Sequence, residues 1–153
     1  MRLERLYQLR YRYTHEWEIG LTGPAGREEQ NFFFAEGTTT GKVAGRFRAA
    51  NHPRRRTDHT YVPDMQGVIE TEDGAVIFVD WHGYGRAYPK GRRQIVGAAY
   101  HLSEDERYQW LNDLVCVMAG EVRYPDPPPE QYDVSAIELV IDVSELVWEA
   151  PKD

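Results

Sequence analysis

The sequence predicts an all-β protein: a single antiparallel β-barrel of about eight to ten strands with one short helix. Three observations carry that expectation. Tyr7, Leu9, Tyr11 and Tyr13 alternate with Gln8, Arg10 and Arg12, and a period of two with aromatics on one side is a strand signature. Asp73-Gly74 stands between two apolar runs, a strong short-range hairpin signal. The other segments are short, punctuated by Gly and Pro, and free of heptads or internal repeats, as in barrels and sandwiches. Closure removes the edges that such long strands otherwise expose.

In chain order, "LERLYQLRYRYTHEWEIG" is the first strand and "GLTGPAGREE" a Gly/Pro loop. "QNFFFAEG" is a short strand, and "TTTGKVAGRFRAA" another with glycines at which it can bend. "NHPRRRTDHTYVPDM", with two prolines, is an irregular connection. In the hairpin that follows, a two-residue Asp73-Gly74 loop sets Glu72 opposite Ala75. That register places Gln66, Val68, Glu70, Ile77, Val79 and Trp81 on one face. Met65, Ile69, Thr71, Val76, Phe78, Asp80 and His82 fall on the other. Neither face is simply polar, so both are expected to be at least half covered, by a lumen on one side and a partner subunit on the other. "RRQIVGAAYHL" is a further strand, and Ser103 to Glu106 fit a capping box that opens a short helix through "RYQWLND". "LVCVMAGEVRY" returns to strand, "PDPPPEQ" is a loop, and "VSAIELVIDVSELVW" closes the chain as a strand or bent strand pair.

At 153 residues the chain is expected to form one domain, 1–153, with a real core. Hydrophobic residues make up 41% and charged residues 28%, an ordinary soluble composition. Neither a charged-then-apolar leader nor an apolar run of the ~20 residues that span a bilayer occurs. The expected location is therefore the cytoplasm, with no membrane partner. A net charge of −7 argues against nucleic acid as a partner, because phosphate contact needs clustered Lys and Arg. Arg54-Arg55-Arg56 reads as solvated loop charge. Arg92-Arg93 stays open between that reading and recognition of an anionic ligand or subunit. Cys116 is the only cysteine, which excludes an intrachain disulfide and a cysteine zinc cluster. Within "LVCVM" it reads as a buried thiol acting as a small hydrophobe.

Asp80 and His82 are two apart on one strand, so they share a face with about 7 Å between Cα atoms. A carboxylate beside an imidazole orients it and raises its pKa, which suits a general acid/base; the alternative is a polar strand end in solvent. Their face also holds Ile69, Val76 and Phe78 and is the more apolar, so it is expected to point inward. If the other face lines the lumen, Glu70 becomes a desolvated carboxylate fit for proton transfer. Tyr84 and Arg86 either line a mouth, where Arg86 would clamp a carboxylate, or simply pack in a loop. His101 ends another strand there, and Trp110, followed by Asn112, would plug one end. His52, His59 and His101 lack the HxH or HxxxH spacing that fixes metal ligands on one element, so no metal site is expected. Without a phosphate loop, flavin fingerprint or cysteine site, no cofactor is expected either.

Two stretches, "GVIETEDGAVIFVDWHGYGR" and "HLSEDERYQWLNDLVCVMAGEVRY", together resemble the family called domain of unknown function 3237. The shared pattern is T-x-DGA-x-I at Thr71, Asp73, Gly74, Ala75 and Ile77, followed by Gly83 and Gly85. Later it has Y-x-WLN at Tyr108, Trp110, Leu111 and Asn112, then Gly120. "GTTTGKVAGRF" is similar to the family's glycine-punctuated stretch through Gly37, Thr38, Gly41 and Gly45. Where that family commonly has GG-A-D-W, this chain reads "AANHPRRRTDH", so a ligand contact by the usual Asp-Trp pair is not implied. The resemblance implies a small calycin-like antiparallel barrel, often self-associating, with no generally assigned activity.

The leading expectation is a β-barrel binding a small, partly apolar organic molecule in its lumen. Tyr84, Arg86 and His101 would orient the molecule, Trp110 and Asn112 would also contact it, and the Asp80/His82 face would supply any cofactor-free isomerisation, cyclisation or dehydration. The competing expectation is a noncatalytic structural or interaction subunit whose interior is filled by side chains. Self-association to a dimer or higher is expected from the half-apolar hairpin faces.

Overall fold

The computed structural model describes residues 1–86 and 93–151. Its ten strands are β1 (Arg2–Gly23), β2 (Gly26–Gly41), β3 (Gly45–Asn51), β4 (Arg54–Arg55), β5 (Tyr61–Val62), β6 (Asp64–Thr71), β7 (Val76–Arg86), β8 (Gln94–Leu102), β9 (Cys116–Arg123) and β10 (Glu138–Val147). Eight of them, β1–β3 and β6–β10, close an antiparallel barrel in which each pairs with the next along the chain and β10 returns to β1. The short β4 and β5 form a flap held to the barrel by the pairing of Tyr61 with Gly85. No helix among the described residues is long and apolar enough to cross a membrane.

The alternation of β1 sends Tyr7, Leu9 and Tyr11 into the core, as the period of two requires. They meet Phe47, Ile69, Ile77, Trp81 and Ile141 from the other strands, all buried. Outside, cross-strand ion pairs cover much of the wall: Arg5–Asp142 at 2.6 Å, Arg46–Glu36 at 3.1 Å and Arg48–Glu70 at 2.5 Å. Each is exposed and contributes little to stability.

The β6–β7 turn departs from the expected two-residue loop. Thr71 N–H donates to the Ala75 carbonyl at 2.9 Å, and Gly74 sits at a φ of 90°. The loop is therefore Glu72-Asp73-Gly74, three residues with glycine in the left-handed region. The Thr71 hydroxyl accepts the Ala75 N–H at 2.8 Å and donates to the Asp73 carboxylate at 2.6 Å, which favours this turn locally. The strands slip by one residue against the expected register, so Met65 faces Trp81, Ile69 faces Ile77 and Gln66 faces Asp80. Met65, Ile69, Thr71, Ile77, Val79 and Trp81 form one buried inner face. Glu70, Val76, Phe78, Asp80 and His82 all lie on the outer one.

Three other segments differ from expectation. The Gly/Pro stretch after residue 20 is mostly strand, because β1 and β2 keep pairing beyond the barrel rim to Gly23 and Gly26. Thr38–Thr40 complete β2 instead of opening the next strand. Ser103 does not cap an α-helix: its buried hydroxyl donates to the Val76 carbonyl at 2.9 Å, and a single 3₁₀ turn at Gln109–Leu111 stands where the helix was expected. A second 3₁₀ turn spans Val134–Ala136.

One end of the barrel is latched shut. Leu111 and Val43 are fully buried there. Tyr108 donates from its hydroxyl to the Asp73 carboxylate at 3.0 Å, and Arg107 pairs with the same carboxylate at 3.1 Å. Asn112 accepts the Ser103 N–H at 2.8 Å and donates to its carbonyl at 2.9 Å. The Thr71-x-Asp73-Gly74-Ala75 and Tyr108-x-Trp110-Leu111-Asn112 patterns thus meet in one hydrogen-bonded latch.

Candidate functional site

At the opposite end, where β1, β3, β7 and β9 finish, the barrel opens into a cavity of about 140 Å³. Tyr13, Phe33, Trp81, Ile95, Val122, Ile137 and Leu139 give it an apolar lining. Glu16, Asn51, Tyr61 and Arg93 add polar groups. A largely apolar concavity with a few convergent polar groups is the usual form of a small-molecule site.

Local structure aims these groups. A register shift between Tyr13 and His15 inserts Thr14 as a bulge, and such a bulge re-aims the residues beyond it. Tyr13 and Glu16 both line the cavity as a result. Asn51, 2% exposed at the end of β3, accepts the Asp64 N–H at 3.1 Å. Its amide nitrogen then donates to the Tyr13 hydroxyl at 2.8 Å. Burial raises the Tyr13 pKa above its ordinary value, with Asn51 opposing it in part, so the hydroxyl keeps its proton at neutral pH and serves as a donor. The Tyr13 ring packs against Phe33 with centroids 4.5 Å apart.

Across the mouth the Arg93 guanidinium lies over the Tyr61 ring, 4.2 Å from its centroid, a cation–π arrangement. The stem of Arg93 runs along Gly85, where a methyl group would sit 3.6 Å from Arg93 Cδ. Below, the Trp81 indole N–H is buried and has no hydrogen-bond partner among the described residues. Buried polar groups are normally satisfied, so unpaired ones call for an explanation.

The residues singled out from sequence are scattered about this geometry. Asp80 and His82 are neighbours, with His82 Nε2 3.1 Å from Asp80 and Nδ1 3.6 Å from Asp64. They face outward because of the one-residue slip, and Gln66 bridges the two carboxylates at 2.8 and 3.1 Å. Asp64, Asp80 and His82 hold their ligand atoms within 4.8 Å of one another and are the group among the described residues spaced to hold a metal ion. Glu70 is also outside, paired with Arg48, so neither candidate face of the hairpin supplies a lumen carboxylate. Tyr84 and Arg86 reach the open end but project outward, since the inward positions on β7 are Trp81, Gly83 and Gly85. His101 is buried away from the mouth, its Nε2 2.7 Å from the Tyr7 hydroxyl, and burial lowers its pKa to about 4. Trp110 is 40% exposed and donates to the Arg107 carbonyl, leaving Leu111 as the plug. Asn112 belongs to the latch.

Arg92 of the second basic pair lies outside the described residues, whereas Arg93 is at the cavity. Burial pushes the Cys116 thiol up to about 11, which agrees with an inert, buried cysteine. Sequence reasoning passed over Glu16, Asn51, Tyr61 and Trp81 as site residues. The alternation of Tyr13, the undecided basic pair and the placing of Tyr84 and Arg86 at a mouth pointed to this end.

No family model and no curated protein matches the sequence. Solved structures do match the fold. A β-barrel-like protein from Acinetobacter baumannii AYE is 22% identical, with 94% of each chain covered and a TM-score of 0.69. A protein of unknown function from Clostridium acetobutylicum is 14% identical, covering 96% of this chain and all of the other, with a TM-score of 0.75. A protein from Penicillium herquei described as an enzyme is 20% identical over 93% of each chain, with a TM-score of 0.55. At these identities the likeness establishes a shared β-barrel architecture.

Proposed function

We propose that this barrel binds a small, partly apolar organic molecule in its open mouth. The cavity of about 140 Å³ carries the reading. It is close to the ~150 Å³ apolar cavity that takes up a benzene molecule, and it has polar groups at its rim. Tyr13, positioned by Asn51 and protonated at neutral pH, is the group placed to donate a hydrogen bond or a proton to a ligand oxygen. Glu16 is the carboxylate in the same mouth. Chemistry here would be cofactor-free acid/base chemistry of the isomerase, cyclase or dehydratase type, and the enzyme from Penicillium herquei with the same architecture is compatible with that. The filled-interior alternative describes the latched half, where Phe47, Ile69, Ile77 and Ile141 leave no exposed surface, but it does not describe the mouth.

The test is a thermal-shift and tryptophan-fluorescence screen of single-ring organic compounds, with Gly85→Val as the control that obstructs the mouth. Trp81, one of four tryptophans, lines the cavity, so the part of the emission change lost in Trp81→Phe reports occupancy. A compound that shifts the wild type and not Gly85→Val carries the proposal. No response to any single-ring compound sinks it.

We further infer self-association. The outer wall of β7 and β8 carries an apolar strip: Phe78 pairs with Leu102, Val76 precedes them and Tyr100 follows, all exposed. A second copy of the chain laid against this strip would cover it. Membership of the domain of unknown function 3237 family and a cytoplasmic location belong to the same reading and rest on the sequence patterns.

A further inference from the structure

Building on the mouth cavity as a ligand site, we propose that its ligand is a single-ring aromatic carboxylate and that Arg93 is the residue that binds the carboxylate. Arg93 is half-buried at the start of β8, and its side chain makes no ion pair and no hydrogen bond among the described residues. Its contacts are the face of Tyr61 and the edge of Gly85. This is unusual in a chain where most arginines close on a carboxylate, as Arg5, Arg46, Arg48, Arg56, Arg107 and Arg123 do. A guanidinium presents five N–H donors in a planar fork, and stacking on an aromatic face fixes that plane while leaving the donors free.

Two further groups near the cavity have a proton to give, beside the Glu16 carboxylate in the same mouth. The Trp81 indole N–H can only donate and has no partner among the described residues. The Tyr13 hydroxyl already accepts from Asn51, which leaves its proton to give. The Tyr13 hydroxyl beside an apolar hollow asks for an acceptor on the ligand, and a charged, delocalised donor at the rim asks for an anion that can accept two hydrogen bonds at once. The hollow itself holds about one six-membered ring by volume, and its walls are the rings of Tyr13, Phe33 and Trp81. A ring in the hollow with a carboxylate directed at Arg93 satisfies the volume, the aromatic walls and the idle guanidinium together.

Calorimetric titration with benzoate and its neutral isostere benzamide tests this on wild type, Arg93→Gln, Arg93→Lys and Gly85→Val, each checked for fold by circular dichroism. Benzoate is expected to bind the wild type at least tenfold more tightly than benzamide, with affinity falling as salt is raised. Arg93→Gln should erase that preference by weakening benzoate far more than benzamide, and Arg93→Lys should keep part of it. Equal binding of the two probes, abolished by Gly85→Val, overturns the carboxylate assignment while the mouth stands as a ligand site. A benzoate preference that survives in Arg93→Gln places the anion elsewhere and overturns the role of Arg93. Absence of binding by either probe overturns this proposal, and the mouth itself is then judged by the wider screen.

Discussion

The Tyr7 hydroxyl and His101 Nε2 share a hydrogen bond of 2.7 Å inside the barrel, their rings edge to face with centroids 5.8 Å apart. The other ring nitrogen of His101 is buried and has no partner among the described residues. An imidazole held this way resists a second proton, because the cation would lose its hydration with only one neutral partner in exchange.

Stability should therefore fall in acid. His101 has its pKa lowered to about 4 from the ordinary 6.5, so between those values the unfolded chain takes up a proton that the folded one refuses. The His101 contribution is complete above pH 6.5, is lost progressively towards pH 4, and amounts to about 3 kcal/mol at most. Urea unfolding at pH 7, 5.5 and 4.5 checks this. The wild-type midpoint should drop more steeply than that of His101→Gln, and parallel falls would assign the acid sensitivity to other groups.

The latch makes a second prediction. Thr71→Val removes the hydroxyl that accepts the buried Ala75 N–H, and an orphaned buried donor costs about 1–3 kcal/mol. For a chain of this size that is a fall in Tm of roughly 2–12 °C. Tyr108→Phe removes an exposed contact to Asp73 and should cost clearly less. Calorimetry that ranks the two variants the other way would contradict this account of the turn.

Two glycines on β7 should respond in opposite ways. A methyl group at Gly83 would lie 2.1 Å from the Val96 carbonyl oxygen, so Gly83→Ala forces β7 and β8 apart. At Gly85 the same group meets Tyr61 and Arg93 at 3.5 Å or more, an ordinary contact. Gly85→Ala should leave Tm nearly unchanged, while Gly83→Ala should lower it sharply or prevent folding. Equal Tm values for the two would contradict the β7–β8 pairing.

Self-association is checked by light scattering on Phe78→Glu with Leu102→Glu. The wild type should run as a dimer or larger and the double variant as a monomer with unchanged circular dichroism. A wild type that is monomeric at every concentration would remove the proposal.

Glu70, Asp80 and His82 show how far sequence reasoning carries at a hairpin. Their two-residue periodicity was legible, because it is a property of each strand alone. Which strand's even positions joined which face of its partner was not, since that depends on whether the turn holds two residues or three. Thr71 decides the matter through hydrogen bonds that form only in the turn. Trp110 and Leu111 make a similar case: Trp110 was expected as the plug from its size, but its neighbour Leu111 is the residue that enters.

The sequence by itself determined the all-β class, the inward face of β1 through Tyr7, Leu9, Tyr11 and Tyr13, and the buried state of Cys116, because alternation and apolarity are local signals. Tertiary structure alone decided the cavity. Tyr13, Asn51, Trp81 and Arg93 are far apart along the chain and carry no shared spacing. They converge because barrel closure, the Thr14 bulge and the β6–β7 register bring the ends of several strands to one mouth.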